Sequence, residues 1–209
     1  MEILFPLFLV CFAWWLAWFF VLWVRYRRLI VACWKEPVLK EPVLIFESDD
    51  WGPGAEDDAL QLNSIAKLLC KYKDSQGRRP VMTLGVVLAV PDSQKINAAD
   101  YKSYHRETLA DEKFKLILRE MRQGVSAGVF SAQLHGMEHY WPDNLMKALK
   151  KSDQLKSLLD QNNPLRTELL PDTLQSRWLE SGRDGVCSLT QSDIGRAVKE
   201  EAIVFRSLF

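Results

Sequence analysis

Two aspartates and two histidines carry the chemistry that can be read from this sequence. Asp49 and Asp50 are adjacent within Phe46-Glu47-Ser48-Asp49-Asp50-Trp51-Gly52, and His135 and His139 lie four apart within His135-Gly136-Met137-Glu138-His139. Adjacent aspartates in an extended strand point to opposite faces, whereas a turn starting there brings both to one pocket. A spacing of four on a helical turn puts two imidazoles on one face, within reach of a single ion. Two imidazoles and one carboxylate form a facial donor set that suits a divalent metal ion, Zn2+ first among them. Such an ion polarises a carbonyl and lowers the pKa of its water, and the aspartate left over is a candidate general base. The arrangement is not H-E-x-x-H, because Glu138 directly precedes His139 instead of following His135.

Taken singly, an Asp-Asp before Trp-Gly reads as a solvated turn or a helix cap, and a pair of histidines reads as structural. Their position sets them apart, since each pair follows a different apolar strand. Val43-Leu44-Ile45-Phe46 predicts a buried strand that delivers the acids at its C-terminal end. A helix is predicted over 59–72, with Asp57 and Asp58 favouring its N-terminus, then a strand over 81–88. A second helix over 111–121, stopped by Gly124, precedes a strand over 129–134 that delivers the histidines. Helices are further predicted over 144–159 and 193–208, separated by a polar, proline-bearing section. Strands alternating with helices, with polar clusters at strand ends, indicate an α/β fold: a β/α sheet or barrel with its site at the C-terminal ends of the strands. Trp51 and Trp141 flank the two clusters, where an aromatic ring more often packs against the strand end but is also suited to stack on a sugar ring, while the isolated His105 reads as surface.

The two motifs together resemble those of the polysaccharide deacetylase family, the NodB-homology or carbohydrate esterase type. The resemblance covers residues 43–142. It implies a distorted β/α barrel and removal of acyl groups from a sugar or polysaccharide precursor. It also implies that Asp49 is the base and that Asp50, His135 and His139 are the metal ligands. The sequence departs from the family pattern where Trp51 separates the aspartates from Gly52, and no histidine follows His139 to serve as the family's acid. The strands are too few to close a barrel, so residues 43–209 are expected to form a partial one.

The N-terminus predicts an anchor. Residues 3–24 carry no charge, include Trp14, Trp15, Trp18 and Trp23, and are long enough to cross a bilayer as a helix. Glu2 precedes the run and Arg25, Arg27 and Arg28 follow it, which fits an anchor better than a cleaved signal peptide and places the rest of the chain on the cytoplasmic side. The expected organisation is an anchor with basic flank (1–28), a linker (29–42) holding the repeated Glu-Pro-Val-Leu, and the α/β domain (43–209). With 27 basic and 27 acidic residues there is no cationic surplus for nucleic acid. Cys11, Cys33, Cys70 and Cys187 form neither a zinc ribbon nor a disulfide framework. The partners implied are a lipid bilayer and a carbohydrate. A membrane-anchored binding or assembly module that keeps part of the fold without turnover is the alternative.

Overall fold

The computed structural model describes residues 4–36, 43–161, 164–182 and 185–209, with the backbone alone over 179–182 and 185–187. The chain divides into two units, Met1–Leu44 and Ile45–Phe209.

In the first unit, helix α1 (Leu4–Lys35) is apolar on all sides up to Arg25, and its apolar window has no buried residue. Aromatic side chains one turn apart pack along it, as in Phe8–Phe12 and Trp15–Phe19. Helical propensity carries α1 past Arg28 to Lys35, into the stretch expected to be linker. Residues 37–42, and with them most of the Glu-Pro-Val-Leu repeat, lie outside the described residues. Such a helix is compatible with a single membrane span or a signal sequence.

The second unit is α/β. Strands β1 (Phe46–Trp51), β2 (Met82–Val87) and β5 (Phe130–Gly136) form a parallel sheet in the order β1-β2-β5. Between β2 and β5 the chain makes β3 (Ala89–Pro91), the short α3 (Ser93–Ala98) and β4 (Arg106–Thr108), which pairs antiparallel with β3. The crossover helices are α2 (Glu56–Leu69), after β1, and α4 (Lys115–Ser126), before β5. After β5 come α5 (Pro142–Leu149) and α6 (Asp153–Gln161), then the hairpin β6 (Leu179–Gly182)–β7 (Gly185–Ser188) and the terminal α7 (Gln191–Leu208). No closed barrel is present among the described residues, whose parallel sheet has three strands.

Alternation along the strands gives the sheet two unlike faces. Met82, Leu84, Val86, Phe130, Ala132 and Leu134 belong to one core with Leu62 of α2 and Ile117 and Met121 of α4. The opposite face carries Glu47 and Asp49 of β1, Thr83 and Gly85 of β2, and Ser131, Gln133 and His135 of β5. A second core gathers Ile96, Tyr140, Leu145, Leu149 and Leu159 among α3, α5 and α6.

Several expected boundaries move, each for a local reason. The strand begins at Phe46, because Phe46 pairs with Met82 and residues 43–45 have no partner, so the acids lie inside β1 and not after it. Gly124 does not stop its helix: Phe130 packs so closely that a Cβ on Gly124 would meet its ring at 2.0 Å. Gly128, at φ +70°, supplies the left-handed turn after α4. The helix expected over 144–159 is two helices, divided around Lys150–Lys151. Of the cysteines, Cys11, Cys33 and Cys70 are free, and the side chain of Cys187 lies outside the described residues.

Candidate metal centre

Two strand irregularities build the site. On β1, Ser48 is opposite Leu84 but Trp51 is opposite Val86, so two residues, Asp49 and Asp50, face the single Gly85. This bulge shifts the phase of the strand and returns Trp51 to the core face. Asp50 takes φ +59°, a left-handed conformation that aspartate tolerates better than most side chains. On β5, Leu134 is opposite Val86 and Gly136 opposite Val87, which leaves His135 as the inserted residue. Gly136 then takes φ +144° and the chain bends through residues 137–140 to His139. The histidine spacing is therefore met by a strand end and a bend, not by the helical turn expected from the sequence, with the ring centroids 5.2 Å apart.

β1 and β5 lie on either side of β2, yet their ligand atoms converge. Asp50 Oδ1 is 3.4 Å from His135 Nε2 and 3.5 Å from His139 Nε2. The three candidate ligand atoms all lie within 4.8 Å of one another. Such separations are long for N–H···O hydrogen bonds, which cluster between about 2.7 and 3.2 Å. They suit joint ligation: a tetrahedral ion about 2.1 Å from each ligand separates neighbouring ligand atoms by roughly 3.4 Å. The donor chemistry fits a divalent ion of the Zn2+ type, and the group is open enough to solvent to leave a position free. With Nε2 turned towards Asp50, the buried Nδ1 of His139 is left without a hydrogen-bond partner among the described residues.

Asp49 lies beside this group on β1. Its Oδ1 occupies space that a side chain on Gly85 would take, since a Cβ there would be 2.5 Å away. Glycine at position 85 is thus what lets the Asp49 carboxylate lie across β2. The two tryptophans diverge. Trp51 is half-buried against the core and donates from Nε1 to Ser48 Oγ at 3.0 Å. Trp141 is half-buried at the N-terminus of α5 and lines a cleft of about 140 Å³ with Arg106, Glu138, Arg177, Arg196 and Glu200. His105 is half-buried, with Nε2 3.0 Å from Ser103 Oγ.

Sequence reading missed the charges beneath the histidine bend. Glu138 is 1% exposed, and its carboxylate meets Arg106 Nε at 2.8 Å and Arg177 Nη1 at 3.0 Å. Arg177 Nη2 is 2.8 Å from Glu201 Oε2 on α7. Burial pushes the Glu138 carboxyl above its ordinary value, while Arg106 and Arg177 pull it down. Burial lowers the Arg106 guanidinium, but Glu138, Tyr104 and Glu200 together outweigh it and hold it above its usual value. Burial also drives the Tyr104 and Tyr140 hydroxyls well above the ordinary phenol range, so they remain neutral; Tyr104 donates to Glu138 Oε1 at 3.2 Å. The one sequence signal was a glutamate between Met137 and His139 in a loop otherwise short of charge. No family model, curated protein or solved structure matches the chain.

Proposed function

We propose that the second unit is a metal-dependent hydrolase domain resembling polysaccharide deacetylases, which removes acyl groups from a sugar or polysaccharide precursor, and that α1 anchors it with the domain on the cytoplasmic side. The observation that carries this reading is the convergence of Asp50, His135 and His139, with Asp50 Oδ1 3.4 and 3.5 Å from the two imidazole nitrogens. In this reading those three side chains hold the ion. A divalent ion supplies Lewis acidity towards the acyl oxygen and a more acidic water. Asp49, exposed to solvent on β1, accepts a proton at its carboxylate. Trp141, beside its polar cleft, offers an apolar ring for a sugar face.

A silent binding or assembly module is favoured by one observation. Of the three histidines in this sequence, two belong to the candidate ligand set and the third, His105, has its Nε2 engaged by Ser103 Oγ at 3.0 Å, which leaves no uncommitted imidazole among them for a general acid. One experiment separates the readings. Full-length protein in detergent is assayed for bound metal and for release of acetate from N-acetylated oligosaccharides. The expected result is about one metal per chain, lost in His135→Ala. Asp49→Asn should keep the metal and lose turnover by about 10²–10⁴-fold, as removal of a general base does. Metal with no turnover in the wild type selects the silent module, and equal, negligible metal in wild type and His135→Ala defeats the metal reading.

A further inference from the structure

The bend between the two candidate histidine ligands is held at successive backbone groups, on one side by backbone amides and on the other by buried charges. Met137 N donates to Glu201 Oε2 at 3.0 Å. Arg177 Nη1 donates both to the Glu138 carbonyl and to Glu138 Oε2, each at 3.0 Å. The carbonyls of Gly136 and Met137 accept from Leu88 N, and Met137 O also accepts from Ala89 N at 2.7 Å. Arg177 further covers Gly136, where a Cβ would meet its Cδ at 3.3 Å. One guanidinium and one carboxylate, from the segment before β6 and from α7, therefore hold the bend from His135 to His139 together with the backbone amides of Leu88 and Ala89.

Burying these charges is costly. Glu138, Arg177 and Glu201 have side chains 1%, 8% and 5% exposed, and each buried ion forfeits several kcal/mol of hydration that pairing only partly returns. Apolar side chains of similar volume would stabilise the fold at least as well. What they could not do is bond Met137 N and the Glu138 carbonyl directionally. From this we infer that Glu138, Arg177 and Glu201 are positioning residues for the candidate metal centre: they set the separation and aim of His135 and His139 without touching the ion. The inference rests on the metal reading above.

The test is a titration of the full-length protein with Co2+, read by the visible bands of the ion, with far-UV circular dichroism as the check on folding. Arg177→Lys keeps the charge but loses the fork; Glu201→Gln keeps an acceptor but loses the charge. Both are expected to fold, to weaken Co2+ binding by 10–100-fold, the range seen when groups behind metal ligands are altered, and to change the band positions. Should either unfold, the combined Glu138→Leu, Arg177→Met, Glu201→Leu variant replaces the ion cluster with apolar volume. It is expected to fold and to show the same weakening. Folded variants with wild-type affinity and spectrum would overturn the inference while leaving the metal centre intact. A wild type that binds no more Co2+ than His135→Ala would overturn the metal reading, and this inference with it.

Discussion

Asp50 occupies a backbone conformation, φ +59°, that costs a non-glycine residue on the order of 1 kcal/mol. If that cost is borne for the carboxylate, stability and ligation should separate on substitution. Asp50→Gly is expected to raise the unfolding free energy by about 1 kcal/mol, because glycine accepts the left-handed region freely, and to abolish metal binding. Thermal unfolding and metal content on the same samples check both halves. A drop in stability would mean that contacts of the Asp50 carboxylate hold the bulge together. At this scale the residues of the candidate group were legible in the sequence, since paired acids and a spaced histidine pair are uncommon enough to stand out. The bulges were not, because one extra residue against a neighbouring strand leaves no mark in composition or periodicity. Nor were Arg177 and Glu201, whose role depends on distant segments meeting beneath the bend.

Helices α2 and α4 illustrate what periodicity reveals and what it leaves out. Their apolar positions predicted both elements, and Glu56, Asp57 and Asp58 at the first turn of α2 fit the helix dipole. The polar tie between them is tertiary: Asn63 Nδ2 donates to Glu120 Oε2 at 2.6 Å, and Arg119 donates to Glu120 Oε1. The bond from Asn63 lowers the Glu120 pKa, burial opposes it, and Arg119 adds to the lowering, so the folded value lies below the ordinary 4.5. A lowered carboxyl contributes stability that is present above its unfolded pKa and lost as pH falls through its folded value. Glu120→Gln, which keeps the volume and an acceptor, is therefore expected to cost about 1 kcal/mol at pH 7 and progressively less below pH 4.5. Thermal melts between pH 7 and pH 3.5 measure this, and a constant difference across that range would mean that Glu120 gains nothing from its charge. Gly124 shows the reverse problem: glycine in a helical run signals a stop, yet here it makes room for the Phe130 ring, which only the fold reveals.

For the chain as a whole, the α/β class was legible because apolar strands and amphipathic helices alternate, and three of those strands do form a parallel sheet. The open polar face carrying Glu47, Asp49, Thr83, Ser131 and Gln133 was not, since the strands read as uniformly buried runs. The uncharged part of α1, residues 4–24, spans roughly 30 Å at 1.5 Å per residue, the thickness of a bilayer hydrocarbon core. Its Phe, Leu and Trp side chains are exposed among the described residues, with Phe5 and Phe20 at 68% and 67% exposure. Leaving so much apolar surface in water is unfavourable by about 25 cal/mol per Å², which is compatible with either a single membrane span or a signal sequence. If it is an anchor, the protein should resist alkaline extraction of membranes and retain α1, which N-terminal sequencing of the isolated protein would show. If it is a signal sequence, the isolated protein would begin after the apolar run. The proposed cytoplasmic orientation rests on Arg25, Arg27 and Arg28, because basic residues flanking a span favour the cytoplasmic side. Protease added outside intact cells should leave the wild-type domain untouched. Reversing all three charges with Arg25→Glu, Arg27→Glu and Arg28→Glu should expose a fraction of it to digestion. Full digestion of the wild type by external protease would place the candidate metal centre on the opposite side of the bilayer and redirect the search for its substrate to finished surface polysaccharide.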